Sequence, residues 1–168
     1  MSGHIWKILL GAAAAAAAAY AKSKGSAGGG WSDVLGHWQA NVAGSLTSSF
    51  DVHLVLNPNG TFESRLTKLN GREPVWTSGA IGRYRVDGST RANYEYAKAW
   101  MLTLEPLEFS GDSNAAQVTN LYGLPVDKAV SARVQYSPAN IGGSFWPTLN
   151  YDGPAGTAGF SLARGAGQ

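Results

Sequence analysis

The fold class is decided by residues 51–66, which read Asp51-Val52-His53-Leu54-Val55-Leu56-Asn57-Pro58-Asn59-Gly60-Thr61-Phe62-Glu63-Ser64-Arg65-Leu66. Apolar side chains recur at every second position on both sides of a central Asn-Gly pair, which is the period of a strand with one buried face. An Asn-Gly pair between two such runs is typical of a tight hairpin turn, because both turn residues must take positive φ and Gly does so without steric cost. The stretch therefore predicts a β-hairpin.

The same pattern continues outward from this hairpin in both directions. Further turn signals stand at Asn70-Gly71, Asp87-Gly88, Ser110-Gly111-Asp112 and Asp152-Gly153. The alternation predicts strands at approximately 37–44, 51–57, 61–69, 75–86, 93–105, 115–122, 129–136, 144–151 and 157–164. Since most of the connections are tight, we expect an all-β fold: an up-and-down antiparallel β-barrel of eight or nine strands, preceded by an N-terminal Ala-rich helical segment.

The inward positions of these strands define a predicted core. It comprises Trp38, Leu54, Leu56, Phe62, Leu66, Tyr84, Val86, Trp100, Leu102, Leu104, Val118, Val130, Val134, Phe160 and Leu162.

Composition limits the function. The 168 residues suit a single domain, and only 14% of them are charged, below the roughly 25% of an ordinary soluble domain. A scattered net charge of +2 lacks the basic stripe that nucleic-acid binding needs, so we expect no nucleic-acid partner. The chain has no cysteine, which excludes disulfides, thiolate nucleophiles and cysteine-ligated metals.

The first 30 residues differ from the rest. A weakly positive start precedes an uncharged run, Ile8 to Ala21, which contains eight consecutive alanines. The sequence Ala19-Tyr20-Ala21 matches a signal-peptidase site, so residues 1–21 are interpreted as a signal peptide cleaved before Lys22. Residues 22–30 form a flexible Gly/Ser linker, and residues 31–168 the barrel domain. This interpretation places the protein in the periplasm or outside the cell.

An alternative retains the segment. Alanine is the best helix former, and small side chains permit close helix packing. Residues Ile5–Ala21 would then contact a membrane as an anchor, or residues 1–30 would bind a protein partner.

A family resemblance joins the two ends of the domain. Gly36-His37-Trp38 resembles the Gly-x-Trp start of lipocalins and the wider calycin barrels, and Phe160-Ser161-Leu162-Ala163-Arg164 resembles their last strand. Leu54 to Phe62 looks like a hairpin motif of bacterial lipocalin-like domains, and Ser78 to Val86 looks like one of their strand motifs. The Thr-Asp-Tyr motif of standard lipocalins is absent. The resemblance implies that Gly36, Trp38 and Arg164 close one end of the barrel, with the guanidinium over the indole.

The sequence offers little catalytic chemistry. No phosphate-binding loop, His-Glu-x-x-His motif or Gly-x-Ser-x-Gly elbow occurs, so an enzyme is disfavoured, and no cofactor is indicated. His37 and His53 fall on adjacent predicted strands, and a two-histidine metal site with Asp51 is conceivable. We favour the interpretation that these side chains are ordinary polar residues on the outer surface of the barrel, and we therefore expect no metal.

Aromatic residues exceed what a small core needs, and five are candidate ligand-binding residues: Trp76, Tyr84, Trp100, Tyr122 and Trp146. An aromatic barrel mouth suits a small apolar ligand, which makes an extracytoplasmic, lipocalin-like binding protein our first interpretation. The alternative is a non-catalytic accessory subunit of a larger assembly, tethered by its N-terminal helix.

Overall fold

The structure, a computed structural model, describes residues 30–90, 97–138 and 146–165. Eight strands form a closed antiparallel barrel in which each strand pairs with the next and β8 pairs with β1. They are β1 (Gly36–Ala43), β2 (Ser48–Leu56), β3 (Thr61–Asn70), β4 (Glu73–Thr90), β5 (Lys98–Ser110), β6 (Val130–Ser137), β7 (Thr148–Asp152) and β8 (Phe160–Arg164). The all-β barrel expected from the alternation is thus confirmed, with eight strands.

Two short helices complete the described part. A 3-10 helix, Trp31–Val34, precedes β1, and an α-helix, α1 (Ser113–Leu121), connects β5 to β6. None of the helices in the described ranges is long and apolar enough to cross a bilayer. The predicted Ala-rich helix and most of the linker lie outside the described residues.

The helix α1 corrects the strand predicted at 115–122. Asp112 caps its N-terminus by accepting a hydrogen bond from the backbone N–H of Ala115 at 2.8 Å. Ala115 and Thr119, one turn apart, are both buried, which is the spacing of a helix face. The N-cap and the buried i, i+4 pair favour a helix here, and they outweigh the alternation of Val118 and Tyr122 that suggested a strand.

Two of the Gly-containing turn signals in the sequence form structures other than the tight turns expected. The connection between β2 and β3 consists of Asn57, Pro58, Asn59 and Gly60; the amide of Gly60 donates to the carbonyl of Asn57 at 3.1 Å, and Gly60 has φ 82°. This is a four-residue connection, not the two-residue turn expected. Asp87-Gly88 is no turn, because the chain continues through a β-bulge inside the 18-residue strand β4.

Strand direction gives the barrel two distinct ends. The 3-10 end holds the 3-10 helix, the start of β1, the β2–β3 loop and the end of β8; the α1 end holds α1 and the β1–β2 and β3–β4 turns. Between them lies one apolar core that includes Trp38, Leu54, Phe62, Trp100 and Leu104, each at most 1% exposed. Three predicted core residues, Val86, Val118 and Val130, are only partly buried.

Candidate functional site

The α1 end carries a group of aromatic side chains from four different elements. Phe50 of β2 lies with its ring centroid 6.0 Å from that of Trp76 of β4 and 5.3 Å from that of Tyr122, which follows α1. Tyr122 in turn lies 6.3 Å from Phe160 of β8. We call these four residues, Phe50, Trp76, Tyr122 and Phe160, the aromatic rim.

The aromatic rim is partly exposed to solvent. Phe50 and Phe160 are 9% and 8% exposed, and Trp76 and Tyr122 are half-buried. Partial burial raises the pKa of Tyr122, so its hydroxyl stays protonated at neutral pH. Apolar ring surface is therefore accessible to solvent where the strands end.

A lysine stands among these rings. Lys68 of β3 pairs in register with Phe50 on one side and with Trp76 on the other, and the alternation along β3 places it on the inward face with Leu66. Its side chain is half-buried. In the part of the chain that the structure describes, the Lys68 ammonium has neither a hydrogen-bond partner nor an ion-pair partner. The rim thus combines apolar surface with one uncompensated positive charge.

Hydrogen bonds fix the segment that completes the rim. The Thr119 hydroxyl of α1 lies 2.8 Å from that of Ser78 on β4, and the buried Tyr151 hydroxyl donates to the Gly123 carbonyl at 2.7 Å. Burial raises the pKa of Tyr151 far above its usual value, so it remains a donor. Gly123 has φ 69°, a left-handed conformation that glycine adopts without strain. Tyr122 is consequently held between two anchored neighbours.

The 3-10 end is built differently. The Arg164 guanidinium lies 4.2 Å from the centroid of the Trp38 ring and donates hydrogen bonds to the carbonyls of Leu35 and Asp33. The Trp38 indole N–H donates to the Val34 carbonyl at 2.7 Å. Gly36 has φ 111°, and a Cβ there would lie 3.0 Å from Nη1 of Arg164. These contacts bind the 3-10 helix across this end of the barrel.

The structure divides the five candidate ligand-binding residues between the two ends. Trp76 and Tyr122 belong to the aromatic rim. Tyr84 and Trp100 lie at the 3-10 end, where both contact Trp31 and where the Tyr84 hydroxyl donates to the Asn57 carbonyl. Trp146 is 69% exposed and precedes β7 at the same end. Only two of the five therefore lie together at one solvent-accessible place.

Two residues of the aromatic rim, Phe50 and Phe160, and the neighbouring Lys68 are not among the ligand-binding residues predicted from the sequence. The sequence predicts Phe160 as a core residue alone and gives no role to Phe50 or Lys68. Phe50 continues the inward alternation of Val52 and Leu54, so this signal was available in the sequence. Lys68 breaks the apolar pattern of β3, and a charged residue at an inward position near a strand end is itself a signal for a site.

A second polar group lies on the outer face of β1 and β2. Nε2 of His37 is 2.7 Å from Nδ1 of His53, and their nearly parallel rings have centroids 5.0 Å apart. Burial, followed by the charges of Arg65 and His37, lowers the pKa of His53. Within the described ranges, no group of three or more histidine, aspartate or glutamate side chains is arranged to hold a metal ion.

Together these features define the class of the domain: a closed eight-stranded antiparallel barrel with one end covered by a 3-10 helix and an aromatic rim at the other. No protein-family model, curated protein or solved structure matches the chain.

Proposed function

We propose that the domain binds a small apolar molecule at the aromatic rim, as a lipocalin-like protein would. The observation that carries this proposal is the contrast between the two ends. At the 3-10 end, Tyr84 and Trp100 are buried in contact with Trp31, while Trp146 is exposed. At the other end, by contrast, Trp76 and Tyr122 both keep partly exposed rings beside Phe50. Exposed aromatic surface beside a few polar groups is the usual composition of a small-molecule site.

The charge of Lys68 narrows the ligand class. A half-buried lysine that has no hydrogen-bond or ion-pair partner among the described residues favours an anionic group on the ligand, since a charge-assisted hydrogen bond is about twice as strong as a neutral one. We therefore infer an amphipathic ligand, with its apolar body against Trp76 and Phe50 and its acidic group at Lys68.

Two fluorescent dyes test this proposal: Nile red, which is neutral, and 8-anilinonaphthalene-1-sulfonate, which is anionic. Both are expected to bind saturably to the purified protein. Trp76→Ala should weaken both dyes about tenfold or more, because it removes a large ring from the site. Lys68→Met should weaken the anionic dye and leave the neutral dye nearly unchanged.

Trp146→Ala is the matched control, since it removes an exposed tryptophan at the opposite end. It should bind both dyes like the wild type. Equal dye affinity in the wild type and in Trp76→Ala, with both proteins folded, would reject a site at the rim.

A specific observation favours the second candidate, an accessory subunit. Leu46, Val75 and Leu121 are 106%, 55% and 57% exposed, and all three surround the α1 end. Exposed apolar side chains around one end are typical of a protein interface. If a partner covers this end, Leu46→Ser and Leu121→Ser should abolish its binding without changing dye affinity; loss of dye affinity instead would favour the small-molecule site.

We further propose export of the protein, with cleavage between Ala21 and Lys22. The support is the short uncharged run followed by Ala19-Tyr20-Ala21. The intact mass of protein from its native source is expected to lack residues 1–21. A mass that includes them would favour the alternative, a retained helix that anchors the domain or binds a partner.

A further inference from the structure

Two histidines meet on the outer face of the barrel, away from the aromatic rim. His37 pairs in register with Val55, and His53 pairs with Gln39, so the two imidazoles are diagonal neighbours on adjacent strands. Their facing nitrogens, Nε2 of His37 and Nδ1 of His53, are 2.7 Å apart. One nitrogen therefore donates to the other, and the two ring edges face each other.

The backbone of Gly165 fixes the His37 ring. The Gly165 amide donates to the His37 carbonyl at 2.8 Å, and a Cβ on Gly165 would overlap Nδ1 of the ring. The Nδ1 edge of His37 thus packs on Gly165, and this contact directs Nε2 toward His53. The position after the last strand is consequently a determinant of the histidine geometry.

We propose that His37 and His53 form a two-ligand site for a divalent transition metal of the zinc, nickel or copper class. Imidazole nitrogen is a preferred ligand of these ions. Zinc–nitrogen bonds of about 2.0–2.1 Å at a tetrahedral angle need the two nitrogens about 3.3 Å apart. The pair reaches this separation when the two nitrogens move apart by about 0.6 Å and the rings rotate. The donor ring also adopts its other tautomer, so that two lone pairs point at the ion.

The surroundings leave room for the remaining ligands. Clefts of about 690 Å³ and 430 Å³ adjoin His53, and they are lined by Glu63 and Asp51 respectively. Asp51 accepts a hydrogen bond from Asn41 at 2.6 Å, and Arg65 pairs with His53 across the strands. Water completes the coordination sphere. Arg65 and Arg164 both line the larger cleft, and the two carboxylates oppose their positive charge.

Calorimetric titration of the full chain with Zn²⁺ tests the site. The sequence has three histidines, and the one outside the pair is His4. All proteins in the titration therefore carry His4→Ala, so that His4 cannot bind zinc. We expect one Zn²⁺ per chain and a rise in Tm with zinc concentration, since a ligand of the folded state stabilises it. His37→Gln and His53→Gln should each weaken zinc at least about tenfold, the smallest loss found even for groups that only orient a ligand.

A third variant tests the geometry without removing a ligand. Gly165→Ala should weaken zinc binding by displacing the His37 ring, whereas Gly88→Ala, a matched change where an added Cβ meets open space, should not. Circular dichroism shows whether each variant is folded. Three results would overturn the proposal. They are no saturable binding of zinc to the protein that carries His4→Ala alone, unchanged zinc affinity in folded His37→Gln and His53→Gln, and equal zinc affinities in the two glycine variants.

Discussion

Trp38 connects three parts of the barrel: β1, the 3-10 helix and β8. It is fully buried, donates to the Val34 carbonyl, and carries the Arg164 guanidinium on its ring face. Arg164 pairs with Trp38 across β8 and β1, so the same two residues close the barrel and hold the 3-10 helix. Because the arginine is exposed, its charge contributes less than the burial of the indole does.

We expect Trp38→Ala to lower the free energy of unfolding by about 3–5 kcal/mol, which is the usual cost of deleting a buried aromatic ring. This is a large part of the stability of a domain of this size. Urea denaturation followed by circular dichroism measures it. Trp146→Ala, an exposed tryptophan, should change stability by only about 0.5 kcal/mol; equal losses in the two variants would show that Trp38 does not hold the closed end.

At the scale of the element, similar dipeptides produce different structures. Asn59-Gly60 ends a hairpin loop, whereas Asp87-Gly88 lies in a bulge within β4. The difference arises from the neighbouring strand: Asp87 and Ser89 remain paired with Met101 and Trp100 of β5 across the bulge. The dipeptide alone does not distinguish a hairpin loop from a β-bulge, since both structures accept Gly as its second residue.

The two glycines make a matched experiment. Gly60→Val should destabilise the protein by about 1 kcal/mol or more, because a β-branched residue is strained at φ 82°. Gly88→Val places its side chain in open space without positive φ, so it should be nearly neutral. Thermal denaturation compares them; an unchanged Tm for Gly60→Val would contradict the assigned loop conformation.

The helix α1 marks the limit of pattern-based prediction within an element. Ser113 to Tyr122 contains apolar residues that fit both a period of two and a period of 3.6 over so short a run. Asp112 at the N-cap decides for the helix, and the hydroxyl pair of Thr119 and Ser78 attaches the helix to β4. The cap was visible in the sequence, whereas the contact with β4 was not.

For the whole molecule, the order of strands was predictable and the distribution of aromatic residues only partly so. Trp76 and Tyr84 lie eight residues apart on β4, which is about 26 Å along a strand and so reaches from one end of the barrel to the other. Trp100 lies near the start of β5, which runs back from the end where β4 finishes. Strand direction therefore separates Trp76 from Tyr84 and Trp100.

Contacts between segments that are distant in the chain could not be predicted from the sequence. The aromatic rim joins β2, β4 and β8 with the residue after α1, and its formation depends on barrel closure and on the position of the helix. The approach of His37 and His53 depends on the register set by the four residues, 44–47, that connect β1 to β2. Adjacent strands were predicted for these histidines, but a 2.7 Å contact could not be.

The central claim is that the aromatic rim binds an amphipathic ligand, and NMR of the six tryptophan indole N–H groups tests it most directly. Single substitutions assign the resonances, and a medium-chain fatty acid serves as the probe. We expect the Trp76 resonance to shift saturably with the probe, while that of Trp38, hydrogen-bonded to Val34 at the opposite end, stays in place. A stationary Trp76 resonance, or shifts confined to Trp38 and Trp100, would contradict a ligand site at the α1 end.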